Sequence, residues 1–426
     1  MWILLRALQM QFTKVKELRK LGNDYWKFWV ASAVSMAASN ILQFVLSLYV
    51  LEMTGSATVF ALMLSIVFVP RMLITPIAGV LADKVDRSRF MAKVLMAEGV
   101  ILLVYTFLAG FFALNVAAIF VLVLGLEIGE VFYNACEGSI IPLLVHEDML
   151  KDAIAVSKVD DGIVYVLSPM IAALIYSNVS LQMAFAFVML LNLAAGFMQL
   201  TINTKHVSVV DKNGIHFLED FKEGVGAISS NHKIRRLVVA MPLINAFFGA
   251  TFSVSILYLI REVYSLNAYY YGVYNSVTAM TSIIIPIVVA PYISKYDPSR
   301  IFSISTRLIA AEIAGIGFIV ILSLNGILAV IPAIVMIIIL DCMTIAEAIP
   351  MQIAMSILIQ TNVKKELLGR TTTTIGMMSM VSVALGELLF GYLADTYAVY
   401  ISIFVGAIGI GTGSALYSLL KDNKKE

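Results

Sequence analysis

GVLADKVDRSR, residues 79–89, places Asp83, Lys84, Asp86, Arg87 and Arg89 in one short connection between two long apolar runs. So many charges cannot enter hydrocarbon, and a run of about 20 apolar residues is long enough to cross it. The stretch therefore reads as a tight polar turn at a membrane surface, with a spanning helix on either side. Gly79 allows a neighbouring helix to approach closely. A carboxylate at Asp83 is favoured beside a helix N-terminus, where the peptide dipoles leave partial positive charge.

The composition agrees with that reading. The 426 residues are 60% hydrophobic and 13% charged, and mean hydropathy is +0.93. A soluble domain would carry about 25% charge. The net charge of +1 excludes an argument for nucleic acid or acidic partners. Cys136 and Cys342 lie inside apolar runs and read as buried thiols. Residues 1–27 are basic and mixed, without a small-residue cleavage site after a short apolar core, so no removable signal peptide is expected.

On the length of a spanning helix, twelve candidates follow: 28–51, 57–82, 90–112, 116–142, 152–177, 181–202, 235–260, 269–292, 300–323, 327–350, 369–394 and 397–420. The expected fold class is an all-α membrane protein with twelve transmembrane helices in two six-helix bundles. The expected domains are 1–202, a cytoplasmic connector 203–233, and 234–426. Of the 29 lysines and arginines, only Arg261 falls in an outer loop, and Arg71, Lys158 and Arg307 lie within helices. The others crowd one set of loops, which places both termini in the cytoplasm. Two halves joined by a longer connector form the layout of a parallel repeat. ACEGSIIP (135–142) and IAEAIP (345–350) are weak echoes between the halves. In the connector, Phe217, Leu218, Phe221, Val225 and Ile228 recur at helical spacing and predict a surface helix on the inner leaflet.

Ionisable residues inside spans are the most informative, because each costs at least about 2.5 kcal/mol at the bilayer centre and needs a partner or a wet cavity. Span 4 carries Glu127, Glu130, Asn134 and Glu137, which fall within an arc of about 80° at 100° per residue. That row is expected to line a central cavity or meet a cation. Arg71 in span 2 is at a depth that fits pairing with Glu127 or Glu130, leaving the other able to load and release a proton. The alternative is a satisfied network that only fixes helix packing. Asp160 and Asp161 in span 5 read as gating residues or as a local salt bridge with Lys158. Asp341 in span 10, near mid-depth, is a cavity candidate, while Glu347 points elsewhere. Arg307, Glu312, Glu98 and Glu387 read as structural. Tyr269, Tyr270 and Tyr271 fit an interfacial belt.

Several stretches together resemble the major facilitator superfamily, and within it the macrolide-efflux-like branch that also contains siderophore exporters. These are LEMTGSA (51–57), TPIAGVLADKVDRSR (75–89), IPLLV (141–145), LGRT (368–371) and GYLAD (391–395). The resemblance implies two bundles rocking around a central site, powered by a proton gradient. It also implies that the loop with Gly79, Asp83, Arg87 and Arg89 latches onto the start of span 11 near Gly369 and Arg370. The sequence departs from the antiporter pattern in span 5, where LSPMIAA (167–173) keeps Pro169 but has Ser or Ala for glycines. Span 1 carries Asn40 and Gln43 where an acidic residue would be expected, so coupling would fall to spans 4, 5 or 10.

The reading is a secondary exporter of amphipathic small molecules in the cell membrane, working by proton antiport as a monomer, with the small-molecule substrate, protons and the lipid bilayer as partners. The alternative is an exporter or flippase of an endogenous molecule such as a siderophore or lysophospholipid. A non-transporting receptor would have no reason to keep buried carboxylates. No Walker loop, dinucleotide glycines or nucleophile elbow is present, which disfavours an enzyme. No cofactor is expected, and His146, His206, His216 and His232 lie in cytoplasmic loops without the clustering of a metal site.

Overall fold

The computed structural model describes residues 21–204, 226, 232–293, 295–364 and 367–419; the side chains of Ala155, Val159, Asp160, Lys233, Ala290, Pro291, Gly369 and Arg370 lie outside that description. The amphipathic helix expected at 203–233 falls almost wholly outside the described residues, as do the side chains of two expected gating residues, Asp160 and Arg370.

Among the described residues every regular element is helical. Twelve helices are long and apolar enough to cross a membrane. They are α1 (Asn23–Thr54), α2 (Ala57–Lys84), α3 (Arg87–Phe111), α4 (Val116–Leu144), α5 (Glu147–Asn178), α6 (Leu181–Leu200), α7 (Ile234–Val263), α8 (Ala268–Val289), α9 (Pro298–Leu324), α10 (Val330–Asn362), α11 (Thr371–Thr396) and α12 (Val399–Leu419). All twelve sequence expectations correspond to one of these. The largest difference is α10, expected to stop at Pro350 but continuing to Asn362 with Pro350 inside it. A proline is tolerated within a membrane helix because neighbouring helices and local adjustments satisfy the backbone groups it frees.

The turns follow ordinary capping chemistry. Asp86 accepts the Arg89 backbone N–H at the start of α3, Asn115 that of Ala118 at the start of α4, and Asp297 that of Arg300 before α9. Each satisfies a donor that the first helical turn leaves without a carbonyl. Helix α2 is broken at Val67 into Ala57–Ile66 and Phe68–Lys84, and α7 widens into π turns at Thr251–Ser255 and Leu259–Val263.

The chain divides into two compact units, Met1–Val45 with Leu73–Ile215 and Leu46–Met72 with His216–Glu426. The end of α1 and the first part of α2 are grouped with the second unit. In the first unit, Tyr25, Phe28, Met91, Leu95, Tyr133 and Ile140 form the core. Its helices are tied by Tyr25 donating to the Ala153 carbonyl at 2.7 Å and Ser88 donating to the Gln199 carbonyl at 2.7 Å. In the second unit, Ile309, Ile313, Ile316 and Val320 run down one face of α9 into the core. Arg236 is buried there by donating to the Tyr417 carbonyl at 3.0 Å, with its guanidinium 4.3 Å from the Tyr417 ring centroid.

Candidate functional site

The α4 row is met by hydroxyls of α1. Ser39 donates to Glu130 Oε2 at 3.1 Å, and Ser32 donates to Glu137 Oε1. Asn134, one turn from Glu130 on the same face, donates to Glu130 Oε1 at 3.3 Å. Glu127 is buried, at 8% exposure. Glu130 and Glu137 of this row are thus met by serines of α1 that the sequence does not single out. A hydroxyl suits a carboxyl that changes charge, because it donates to the carboxylate and can accept from the protonated acid.

A further acid, Glu98 of α3, is 4% exposed. Asn192 of α6 donates to its Oε2 at 3.1 Å. Its other oxygen lies against Gly129 of α4, where an added Cβ would come within 2.5 Å of it. Gly129 thus makes room for a carboxyl on the helix that bears Glu127 and Glu130. From the sequence Glu98 reads as structural; the signal that marks it is a glycine between two acids of the neighbouring helix.

In the second unit, Tyr274 of α8 donates to Asp341 Oδ2, and both residues are 3% exposed. Tyr271 stacks on Tyr274 with centroids 5.9 Å apart and planes at 16°. Thr281 donates to Cys342 Sγ at 3.2 Å, next to Asp341. Asp341 is therefore a sealed, hydrogen-bonded acid at the α8–α10 seam. Glu347, one of the residues expected to do a different job, accepts from Ser305 of α9 at 2.9 Å. Glu387 of α11 accepts from Ser253 of α7 at 3.2 Å and from Ser65 of α2 at 3.3 Å. Sequence alone does not single out these serines or Tyr274, because a hydroxyl in an apolar run carries no sign of its partner.

The other expected site residues are placed as follows. Arg71 lies in the second unit, with its guanidinium 6.0 Å from the Phe68 ring, whereas Glu127 and Glu130 lie in the first unit. Asp83 is paired with Arg87 at 2.8 Å within their own turn. Arg89 reaches Asp86 at 3.4 Å, and Thr204 donates to Asp86 at 3.0 Å. Lys158 pairs with Asp161 at 2.6 Å, which is the local bridge weighed for that segment. Among the described residues no group of His, Cys, Asp and Glu could hold a metal ion, and both cysteines are unpaired thiols.

The model of the Major Facilitator Superfamily matches residues 28–387. The chain belongs to the Major Facilitator Superfamily. It is accordingly a membrane transporter of the multi-pass kind and not an enzyme. Over 239 residues, 53% of its length, the transporter is 28% identical to macrolide efflux protein A of Streptococcus pyogenes. Over 209 residues, 46% of its length, it is 29% identical to macrolide efflux protein A of Enterococcus faecalis. The match spans little more than half of these relatives, 57% and 62% of their lengths. Among solved structures, a nucleoside transporter, NupG, superposes with a TM-score of 0.77 at 12% identity, covering 94% of the transporter and 100% of that chain. A bacterial homologue of the iron transporter ferroportin gives 0.72 at 11% identity, over 93% and 98% of the two chains. At such identities these likenesses show a shared fold.

Proposed function

We propose that the transporter exports amphipathic small molecules of the macrolide kind across the cell membrane by alternating access, in exchange for protons. The relatives named macrolide efflux protein A support the direction and the substrate class. The observation that carries the coupling is the α1–α4 seam, where Glu130 and Glu137 sit against serine hydroxyls that serve either protonation state. In this reading Glu127, Glu130, Glu137 and Asn134 line the path, and Asp341 is a buried acid of the second unit. The turn bearing Gly79, Asp83, Arg87 and Arg89, with Arg370, Asp160 and Asp161, gates the cytoplasmic side. Both termini are cytoplasmic, the transporter works as a monomer, and nucleic acid plays no part.

Purified protein in liposomes with an imposed pH gradient tests the reading. Wild type drives erythromycin uphill when the gradient is applied. Glu127→Gln and Glu130→Gln each abolish uphill transport while leaving expression and substrate binding intact. Undiminished gradient-driven transport in both single variants and the double variant removes the coupling role, and no macrolide movement in wild type removes the substrate class.

A further inference from the structure

Residues 79–83 read Gly-Val-Leu-Ala-Asp and residues 391–395 read Gly-Tyr-Leu-Ala-Asp. One pattern, G-x-L-A-D, ends α2 and also ends α11. An even-numbered and an odd-numbered span run in opposite directions, so the copies stand at opposite membrane faces, the first cytoplasmic and the second external when both termini are cytoplasmic.

The α11 copy is seated on the first turn of α2. Asp395 accepts the backbone N–H of Ala57 at 2.7 Å and of Thr58 at 2.9 Å, and the Ser56 hydroxyl donates to it at 2.6 Å. Ser56 is itself the cap of α2, accepting the Val59 N–H at 3.3 Å. The two amides are among those that a helix start leaves without a carbonyl, and a carboxylate there is also favoured by the dipole. One turn earlier Gly391 sets the helix spacing. An added Cβ would lie 2.6 Å from Ala61 Cβ, 2.7 Å from the Ala57 carbonyl oxygen and 2.9 Å from Thr58 Cα. Two of those atoms are backbone, which no rotamer change can move aside. Further along the seam Ser65 donates to Glu387, and at the same end Arg261 of α7 reaches Glu52 of α1 at 3.3 Å. These contacts explain why Leu46–Met72 packs as part of the second unit. The α2 copy is not seated in this way: among the described residues nothing lies within 4 Å of an added Cβ at Gly79, and Asp83 is held by Arg87.

We propose that residues 391–395 form a latch holding the external end of α2 against α11, and that releasing Asp395 from the α2 N-terminus is the step that opens the external side. The inference rests on alternating access and adds to it the residues that keep one side shut.

The test measures electron–electron distances between spin labels at Phe112→Cys and Ile327→Cys, in exposed external turns, with Cys136 and Cys342 replaced by Ala, in lipid nanodiscs. Wild type shows a short and a long distance, with the short one dominant. Asp395→Asn raises the long-to-short ratio roughly fivefold, the scale of a charged group lost from a helix end, and Gly391→Val raises it at least as far. Because the valine variant carries the greater folding risk, Asp395→Asn alone decides the outcome. A ratio that stays unchanged or moves toward the short distance in Asp395→Asn overturns the latch while two wild-type distances still uphold alternating access. A single wild-type distance at every pH and macrolide concentration removes alternating access, and the latch with it.

Discussion

Ser32 and Ser39 meet Glu137 and Glu130 across the α1–α4 seam. The same interval separates the two serines and the two acids, in opposite chain directions, as two antiparallel helices require. A half-buried carboxyl held by neutral hydroxyls has a partner without having its charge cancelled, which suits a group that must both gain and lose a proton. Asp341 is handled differently, by the Tyr274 phenol in a fully buried pair. Tyr274→Phe removes the donor and leaves the acid buried without it. Such a loss costs about 1–3 kcal/mol, and thermal unfolding in detergent is expected to show it as a lowered midpoint, with the Tyr274→Phe/Asp341→Leu double variant recovering part of the loss. Depth in apolar runs locates both acids from the sequence. The sequence offers only Arg71 as a partner, for Glu127 or Glu130, because a full charge stands out in an apolar run and a hydroxyl does not.

At the level of helices, small residues determine how near two backbones come. Membrane helices gain little from burying apolar surface against each other and rely on close packing instead. Helix α12 shows the contrast between its faces. A Cβ at Gly413 would lie 2.7 Å from the Ile244 side chain of α7, and one at Gly409 would run into the Phe247 ring, whereas at Gly411 the nearest atom is Ala310 Cβ at 4.0 Å. Gly409→Leu is expected to lower the yield of monodisperse protein on size-exclusion chromatography several-fold, while Gly411→Leu leaves it near wild type. The span boundaries are readable to within a few residues at most ends, since apolar length is a local property. From the sequence α10 reads too short because Pro350 looks like a stop, and in a soluble helix it would be one. In the membrane the helix carries on through it to Asn362.

For the whole molecule, the asymmetry of lysine and arginine is the strongest global signal, and it predicts the placement of both chain ends. Fluorescent-protein fusion at the C-terminus is expected to be bright and alkaline-phosphatase fusion inactive; the reverse pattern would exchange the cytoplasmic and external faces throughout. Twelve spans and the superfamily are legible in the chain because bilayer insertion responds to composition over some twenty consecutive residues, and charge sorting to the loops between them, whereas the turn read at 79–89 is confined to Val85 and Asp86 because α2 stays helical through Lys84. The pairings were not legible. Ser32 lies 105 positions from Glu137, Ala57 lies 338 from Asp395, and no local pattern selects one hydroxyl or helix start among many. GYLAD could be read as the end of a helix, but only the folded chain brings Asp395 to the amides of α2, because a hydrogen bond is settled by distance and direction in space and leaves no trace in neighbouring residues.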